Sequence, residues 1–95
     1  MRYKLLISEE ALFFLSTLQE KSRRILRQHL LTLGESPHPG RRGDKKKLNL
    51  PGYDLYRLHI GRSFTAFYRI YEQERTVRIL ALMTIDEAHK LYGRL

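Results

Sequence analysis

The segment LYRLHIG, at positions 55–61, places Arg57 and His59 two residues apart. Histidine exchanges a proton near neutral pH, and the arginine guanidinium can hold a phosphate group through paired hydrogen bonds. Such a pair can take the proton from a ribose 2′-hydroxyl and stabilise the charge that builds up on phosphorus when that oxygen attacks. The residue types and their spacing therefore indicate chemistry on a phosphodiester.

Residues two apart on a β-strand share a face, so Arg57 and His59 are predicted to lie together. The apolar face of the same strand, formed by Tyr56, Leu58 and Ile60, is expected to pack on a core, and the basic face to stay in water. A structural interpretation of the same pattern is open, in which Arg57 and His59 are only the solvated face of a strand near the edge of a sheet.

The positive charge of the chain is concentrated in its middle third. The 95 residues carry a formal charge of +8, and segment 41–78 has ten Lys and Arg against four Asp and Glu, a net +6. A basic patch of this kind attracts nucleic acid through salt-sensitive contacts with phosphates, although a mobile, solvated loop would have the same composition. The candidate RNA-binding residues are Arg41, Arg42, Lys45, Lys46, Lys47 and Arg62.

Two groups near the C-terminal end can also take part. His89 lies three residues before Tyr92, on the same side of a predicted helix, and can act as a second acid or base. Tyr92, like Tyr53 and Tyr71, can stack on a splayed base. The structural alternatives are an isolated histidine with no role in chemistry and a tyrosine that packs the last helix onto the sheet.

Composition argues against several classes of site and location. The chain has no cysteine, which removes disulfides, thiol catalysis and zinc–thiolate sites. The four histidines lack the close pairing of a metal site, and no glycine-rich phosphate loop is present. No apolar run approaches the ~20 residues of a membrane-spanning helix, and the start lacks the long apolar core of a secretory signal. We expect a cytoplasmic protein without a metal or a cofactor.

Two predicted helices follow a short strand in the first half of the chain. The strand covers residues 1–7, and Ser8 is suited to cap the first helix, with acidic residues in its first turn. The second helix begins at about Glu20 and is stopped by Gly34. Because the connection between the helices is very short, they are expected to form an antiparallel hairpin.

The second half of the chain is predicted to form a meander of strands after a loop at 35–44. The apolar third strand is expected to be the central one. The predicted order is β-α-α-β-β-β with a C-terminal helix: a single α+β domain over residues 1–95, with a small antiparallel-dominated sheet and a two-helix hairpin packed on one face. These strands and the last helix are placed at about Asp54–Ile60, Phe64–Tyr71, Arg75–Met83 and Asp86–Tyr92.

The order of elements, the hairpin LYRLHIG–FTAFYRIY and the closing Tyr92 together resemble the RelE/ParE superfamily of small basic toxins from type II toxin–antitoxin systems. The specific part is KKLNLPGYDLYRLHIG (46–61), which looks like the superfamily signature of lysine, leucine, a short turn and Tyr-Arg-Leu-Arg-Val-Gly. Carried over residue by residue, the resemblance implies that Arg57, His59 and Tyr92 are the catalytic residues. The chain departs from the pattern twice, since family arginines fall at Thr65 and within 84–86, where it has no cation.

The resemblance implies one activity and two alternatives. RelE-like members cleave mRNA in the ribosomal A site and so inhibit translation, which makes a ribosome-dependent endoribonuclease, an mRNA interferase, the first expectation. The alternatives are a ParE-like inhibitor of DNA gyrase without RNase activity and a degenerate toxin that acts only as a protein-binding module.

The same resemblance implies the partners. One is an acidic antitoxin, which would form a hetero-oligomer with the toxin and cover the basic face together with exposed apolar helix residues such as Phe13 and Leu31. The other is the ribosome with its mRNA. No membrane partner is expected.

Overall fold

A five-stranded sheet with three helices organises the chain. It is seen in a computed structural model that describes the backbone of residues 2–92 and the side chains of residues 2–91. In chain order the elements are β1 (Lys4–Ile7), α1 (Glu9–Ser16), α2 (Glu20–Thr32), β2 (Lys45–Leu50), β3 (Tyr53–Ile60), β4 (Phe64–Tyr71), β5 (Thr76–Thr84) and α3 (Ile85–Tyr92).

The strands lie in the order β1-β5-β4-β3-β2, with β1 parallel to β5 and the other three pairs antiparallel. The predicted α+β class and antiparallel-dominated sheet are therefore confirmed. The prediction that the apolar strand β5 is the central one is wrong, because β4 occupies the middle of the sheet. Strand β5 is nonetheless paired on both sides and contacted by α1 and α3, which explains its apolar composition.

The structure adds one strand to the predicted order, since the lysine-rich segment Lys45–Leu50 is β2 and not part of a loop. It pairs with β3 in a hairpin that runs from Lys45 opposite Leu58 to Leu50 opposite Tyr53. Gly52 closes the hairpin with φ at +88°, a conformation that glycine adopts without strain. Exposed lysines on this outermost strand disfavour pairing with a further chain.

The two-helix hairpin begins at the predicted cap. The Ser8 hydroxyl accepts a hydrogen bond from the Ala11 amide at 3.1 Å and donates one to the Leu80 carbonyl at 2.7 Å. The cap therefore starts α1 and ties it to β5 at the same time. Of the helices within residues 2–92, none is long and apolar enough to cross a membrane.

The main core lies between the helical hairpin and one face of the sheet, as predicted. Tyr68 is its largest fully buried side chain; its ring stacks on Tyr56 at 5.5 Å and its hydroxyl donates to the Pro37 carbonyl at 2.6 Å. Burial raises the pKa of Tyr68, so the hydroxyl remains a donor. The core residues from the two helices and the strands include Ala11, Leu15, Leu26, Leu30, Leu33, Leu58, Ile60, Val77 and Ile79.

Glu72, in the turn after β4, holds the loop that leads into β2. The Tyr3 hydroxyl donates to Glu72 Oε2 at 2.9 Å, and His38 Nε2 lies 2.6 Å from Oε1. The hydrogen bond from Tyr3, assisted by that from His38, lowers the pKa of Glu72. This network ties the loop at 35–44 to the start of β1 and to the turn between β4 and β5.

The opposite face of the sheet carries α3 and a second, smaller core. Ala88 packs there with Leu48, Leu55 and Phe67, and the Ile85 amide donates to the Ser63 carbonyl at 2.9 Å. This is the face that carries Arg57 and His59, so the expectation that it lies fully in water is wrong. The apolar partners on β2, β4 and α3 remove part of it from solvent.

Candidate nucleic-acid interface

Strand β3 places Arg57 and His59, the two residues predicted to act on a phosphodiester, on one face of the sheet. The flanking strands place a residue opposite each of them. Arg57 lies opposite Lys46 on β2 and Phe67 on β4, and His59 lies opposite Thr65. Residues two apart on a strand are about 7 Å apart, and directly opposed side chains lie closer still. Arg57, His59, Thr65 and Lys46 therefore form one polar cluster, which we call the β3–β4 cluster.

The burial of Arg57 decides whether this residue belongs to a solvated strand face or to an enclosed site. Only 5% of this residue is exposed, so it is not part of a solvated edge, and the structural alternative raised from sequence fails for it. Burial lowers the pKa of Arg57, an effect that the Asp44 carboxylate opposes. A buried guanidinium that forms no ion pair with a described residue can attract an anion.

Four buried polar side-chain atoms have no hydrogen-bond partner among the described residues: Nε of Arg57, Nε2 of His59, Oγ1 of Thr65 and Nε of Arg69. All four lie on the same face of β3 and β4. Leaving such an atom unpaired costs about 1–3 kcal/mol, so folded proteins keep few of them. Their concentration on one face indicates a surface whose hydrogen bonds are completed by a ligand, and phosphate oxygens suit the N–H donors.

The environment of His59 favours its neutral form. Burial lowers the pKa of the imidazole, and the charges of Arg57 and then His89 lower it further. A neutral imidazole with an unpartnered Nε2 can accept a proton from a hydroxyl. His89 is exposed on α3, yet its influence on the pKa of His59 places it close to the cluster.

The predicted RNA-binding residues do not form one patch. Lys46 shares the face of Arg57, whereas Lys45 and Lys47 lie opposite Leu58 and Tyr56, on the face that packs against the helices. The Nζ of Lys47 lies 3.5 Å from Asp54 Oδ2, a half-exposed ion pair that reduces its availability.

The remaining predicted RNA contacts lie in two other places. Arg41, Arg42 and Lys45 line a cleft of about 580 Å³ between α2 and the loop that precedes β2. Arg62 is exposed in the turn between β3 and β4, beside Thr84 and Asp86. The basic residues therefore lie on both faces of the sheet near its β2 edge and in the turn after β3.

Comparison with known proteins decides the family. Residues 10–87 match the family model described as the ParE toxin of the type II toxin–antitoxin system parDE. The chain belongs to the ParE toxin family. The fold is that of the wider RelE/ParE superfamily, and a comparison with curated sequences found no match.

Solved structures show the same fold. A chain of the archaeal RelE–RelB complex from Pyrococcus horikoshii matches with a TM-score of 0.75 and 26% identity, over 88% of the toxin and 96% of that chain. A RelBE toxin–antitoxin complex from Mycobacterium tuberculosis matches with a TM-score of 0.73 and 19% identity, over 88% and 99% of the two chains. The intact E. coli RelBE complex matches with a TM-score of 0.57 and 22% identity, over 85% and 94%.

The two departures from the RelE pattern have structural consequences in this toxin. Thr65 replaces a cation with a small hydroxyl, and that hydroxyl is one of the unpartnered atoms opposite His59. At the second position the chain starts a helix: the Thr84 hydroxyl accepts from the Glu87 amide at 3.2 Å and donates to the Glu87 carboxylate at 3.0 Å. These hydrogen bonds form a capping box, so the segment serves to start α3.

Tyr92, the third predicted catalytic residue, ends α3, and its side chain lies outside the described residues. The sequence argument missed two members of the site, Thr65 and Arg69. Both follow from the predicted hairpin once its register is known, because a turn at Gly61-Arg62-Ser63 sets Thr65 opposite His59. Arg69 then lies four residues farther along the same face of β4.

Proposed function

We propose that this toxin is a ribosome-dependent endoribonuclease that cleaves mRNA. The observation that carries the proposal is the set of four buried, unpartnered polar atoms on one sheet face, with an arginine and a neutral histidine side by side among them. A phosphodiester backbone supplies acceptors for the guanidinium groups and a 2′-hydroxyl proton for the imidazole. The matched positions of the RelE-like pattern support the same assignment.

The proposed reaction uses the RNA's own 2′-hydroxyl as nucleophile. His59 Nε2 takes the hydroxyl proton while the 2′-oxygen forms a bond to phosphorus. The bond from phosphorus to the 5′-oxygen of the next nucleotide breaks, leaving a 2′,3′-cyclic phosphate, and that oxygen accepts a proton from His89 or Tyr92. Arg57 binds the phosphate and stabilises the additional negative charge of the phosphorane.

The basic residues around the cluster are proposed to hold the RNA. Lys46 extends the cationic face from Arg57 to the edge of the sheet, and Arg41, Arg42 and Lys45 line a cleft beside α2 on the other side of that edge. Arg62 lies in the turn that follows the C-terminal end of β3, beside Thr84 and Asp86. Contacts of this kind set affinity and orientation and leave the choice of cleavage site to the ribosome.

We also propose that an acidic antitoxin is the cognate partner of the toxin. The relatives solved as RelE–RelB and RelBE complexes support it. The toxin supplies a suitable surface: Leu31, which is 53% exposed, lines a mainly apolar cleft of about 540 Å³ between β1 and the helical hairpin. Phe13, which is 72% exposed, adds apolar surface on α1. An amphipathic acidic segment would cover this cleft and neutralise part of the +8 charge.

The second candidate function is a ParE-like inhibition of DNA gyrase, without catalysis. The match to the ParE toxin family model favours it, as does the absence of a cation at Thr65 and across residues 84–86. In this case Arg57 would bind the partner's anionic surface, and His59 would have no role in proton transfer.

Induced expression separates the two functions. Primer extension on reporter mRNA should show cuts within translated codons in the wild type and lose them in Arg57→Ala and His59→Ala, because each change removes a group worth orders of magnitude in rate. Arg24→Ala is the control, since this exposed arginine lies on α2 outside the β3–β4 cluster and forms an ion pair with Glu20 at 3.7 Å. Uncut mRNA together with blocked gyrase supercoiling would establish the second function instead.

A further inference from the structure

Arg69, like Thr65, is a member of the unpartnered set that the proposed chemistry does not use. It lies on β4 on the same face as Arg57, and its guanidinium carbon is 5.0 Å from the ring centre of Tyr53 and 5.3 Å from that of Tyr71. Two aromatic rings restrict the arginine, while its Nε makes no hydrogen bond to a described residue. The side chain is thus held in place with its donor unused.

The position of Arg69 fits the phosphate next to the one being cleaved. Arg57 is paired with Phe67, so Arg69, two residues farther along β4, is its diagonal neighbour. Diagonal neighbours lie about 7–8 Å apart, which is close to the spacing of successive phosphates along a single RNA strand. One guanidinium can therefore bind the scissile phosphate while the other binds its neighbour.

Tyr53 adds a stacking surface to this position. It is 44% exposed, and it lies on the same face of β3 as Arg57 and His59. An exposed ring beside an arginine can stack on an unpaired base, an interaction that tolerates every base because each has a π-face. Tyr71 lies deeper and supports the guanidinium from β4.

We infer that Tyr53, Arg69 and Tyr71 form a second nucleotide-binding subsite on the toxin, which takes one nucleotide of single-stranded RNA beside the scissile phosphate. The inference rests on the proposed function for the identity of the ligand. Arg69 binds the phosphate, Tyr53 stacks on the base, and Tyr71 positions Arg69. The subsite also supplies, at a different point of β4, a cation that the family pattern places at Thr65.

The test is binding of a short single-stranded RNA that carries 2′-O-methyl groups and so cannot be cut. Arg69→Met, which keeps the packing volume, should weaken binding about tenfold and lower the slope of log affinity against log salt by about 0.7. Tyr53→Phe should bind as the wild type does, and Tyr53→Leu should lose about tenfold. Arg75→Met is the matched control, because Arg75 also lies over a tyrosine, 4.4 Å from the ring centre of Tyr3, but outside the cluster.

Kinetics on programmed ribosomes provide a second measurement. Arg69→Met should raise KM with little change in kcat, whereas Arg57→Ala should lower kcat. Unchanged RNA affinity in Arg69→Met, or no binding of the RNA by the wild type, would overturn the subsite. A toxin that binds this RNA through Arg69 but cuts no mRNA would overturn the proposed cleavage and leave the subsite intact.

Discussion

At the scale of single residues, the environment of His59 decides which proton it can move. Burial, Arg57 and His89 all lower its pKa, so the imidazole is neutral at physiological pH. A neutral imidazole can serve as the base that starts the reaction, and the exposed His89 is better suited to return a proton to the leaving group. Under the proposed function, His59 is therefore the base and His89 the acid of RNA cleavage.

The pH dependence of cleavage should report this assignment. A base is active when deprotonated, so the single-turnover rate should rise with pH along the acid limb of the profile, and the need for a protonated acid should lower it again at higher pH. Because the pKa of His59 is lowered, the midpoint should lie below about 6.5, the ordinary pKa of histidine. His59→Ala should lose this limb of the profile, and a midpoint above 6.5 in the wild type would assign the limb to another group.

Arg57 is expected to lower stability in exchange for function. It is buried, and its Nε is unpaired within the described part of the chain. Arg57→Met keeps much of the volume and removes the buried charge, so the free energy of unfolding should rise by about 1 kcal/mol while growth inhibition is lost. The measurement is urea unfolding followed by far-UV circular dichroism.

Arg78→Met on β5 is the control for this experiment. Arg78 is exposed, and it is paired with Arg69 across the sheet. Its replacement should change the free energy of unfolding by less than about 0.5 kcal/mol. A clear loss of stability in Arg57→Met would mean that the guanidinium has a stabilising role in the free toxin.

At the scale of elements, β2 gives adjacent lysines different roles. The sequence KKK reads as one basic run, but a strand sends Lys46 to the face of Arg57 and its two neighbours to the other. Lys47 is in addition paired with Asp54. Strand β2 therefore extends the cationic surface with one lysine of the three, and the alternation cannot be changed without shifting the register of the hairpin.

Single substitutions in β2 should reveal this division. Lys46→Ala should weaken the salt dependence of RNA or ribosome binding. The slope of log affinity against log salt should fall in magnitude by about 0.7, the value for one phosphate contact on a single strand. Lys47→Ala should leave the slope nearly unchanged, because its charge lies on the opposite face and is partly neutralised. Equal effects of the two changes would show that the RNA contacts the lysines without regard to face.

At the scale of the whole molecule, charge and apolar surface are distributed over different faces. The β3–β4 cluster and α3 lie on one face of the sheet, and the cleft with exposed Leu12 and Leu31 lies beside β1 and the helical hairpin on the other. An antitoxin that binds this cleft alone would leave the cluster accessible. Under the proposed function, a partner that inhibits by covering the cluster must be long enough to reach both faces or must displace α3.

Hydrogen exchange can test that requirement. The toxin should bind tightly to a small acidic protein encoded by the adjacent gene, and binding should slow amide exchange in α1 and α2 and also in Lys45–Lys47 and around Arg57, or else speed exchange in α3. A neighbouring protein that never binds, together with a toxin that is harmless when expressed alone, would leave the degenerate protein-binding module as the better account.

Local sequence was enough for those features that depend on near neighbours. The Ser8 cap, the start of α2 at Glu20, the hairpin of β3 and β4, and the shared face of Arg57 and His59 follow from spacing, capping and turn residues, and the structure agrees with each. The same patterns were sufficient for the α+β class, because hydrophobic period and turn placement specify element type and order. The superfamily followed from the resemblance of the motif at 46–61 and of the order of elements.

Only the tertiary structure decided what surrounds these residues. The burial of Arg57, the pairing of Thr65 with His59, the diagonal placement of Arg69 and the separation of Lys46 from Lys47 depend on which strands pair and in what register. The position of α3 over the same face depends on packing between residues as distant as Leu48 and Ala88. Contacts between distant segments produce no periodic pattern in the sequence. The chemical type of each residue could therefore be read from the sequence, whereas the burial and the neighbours that set its pKa and its contacts depend on the fold.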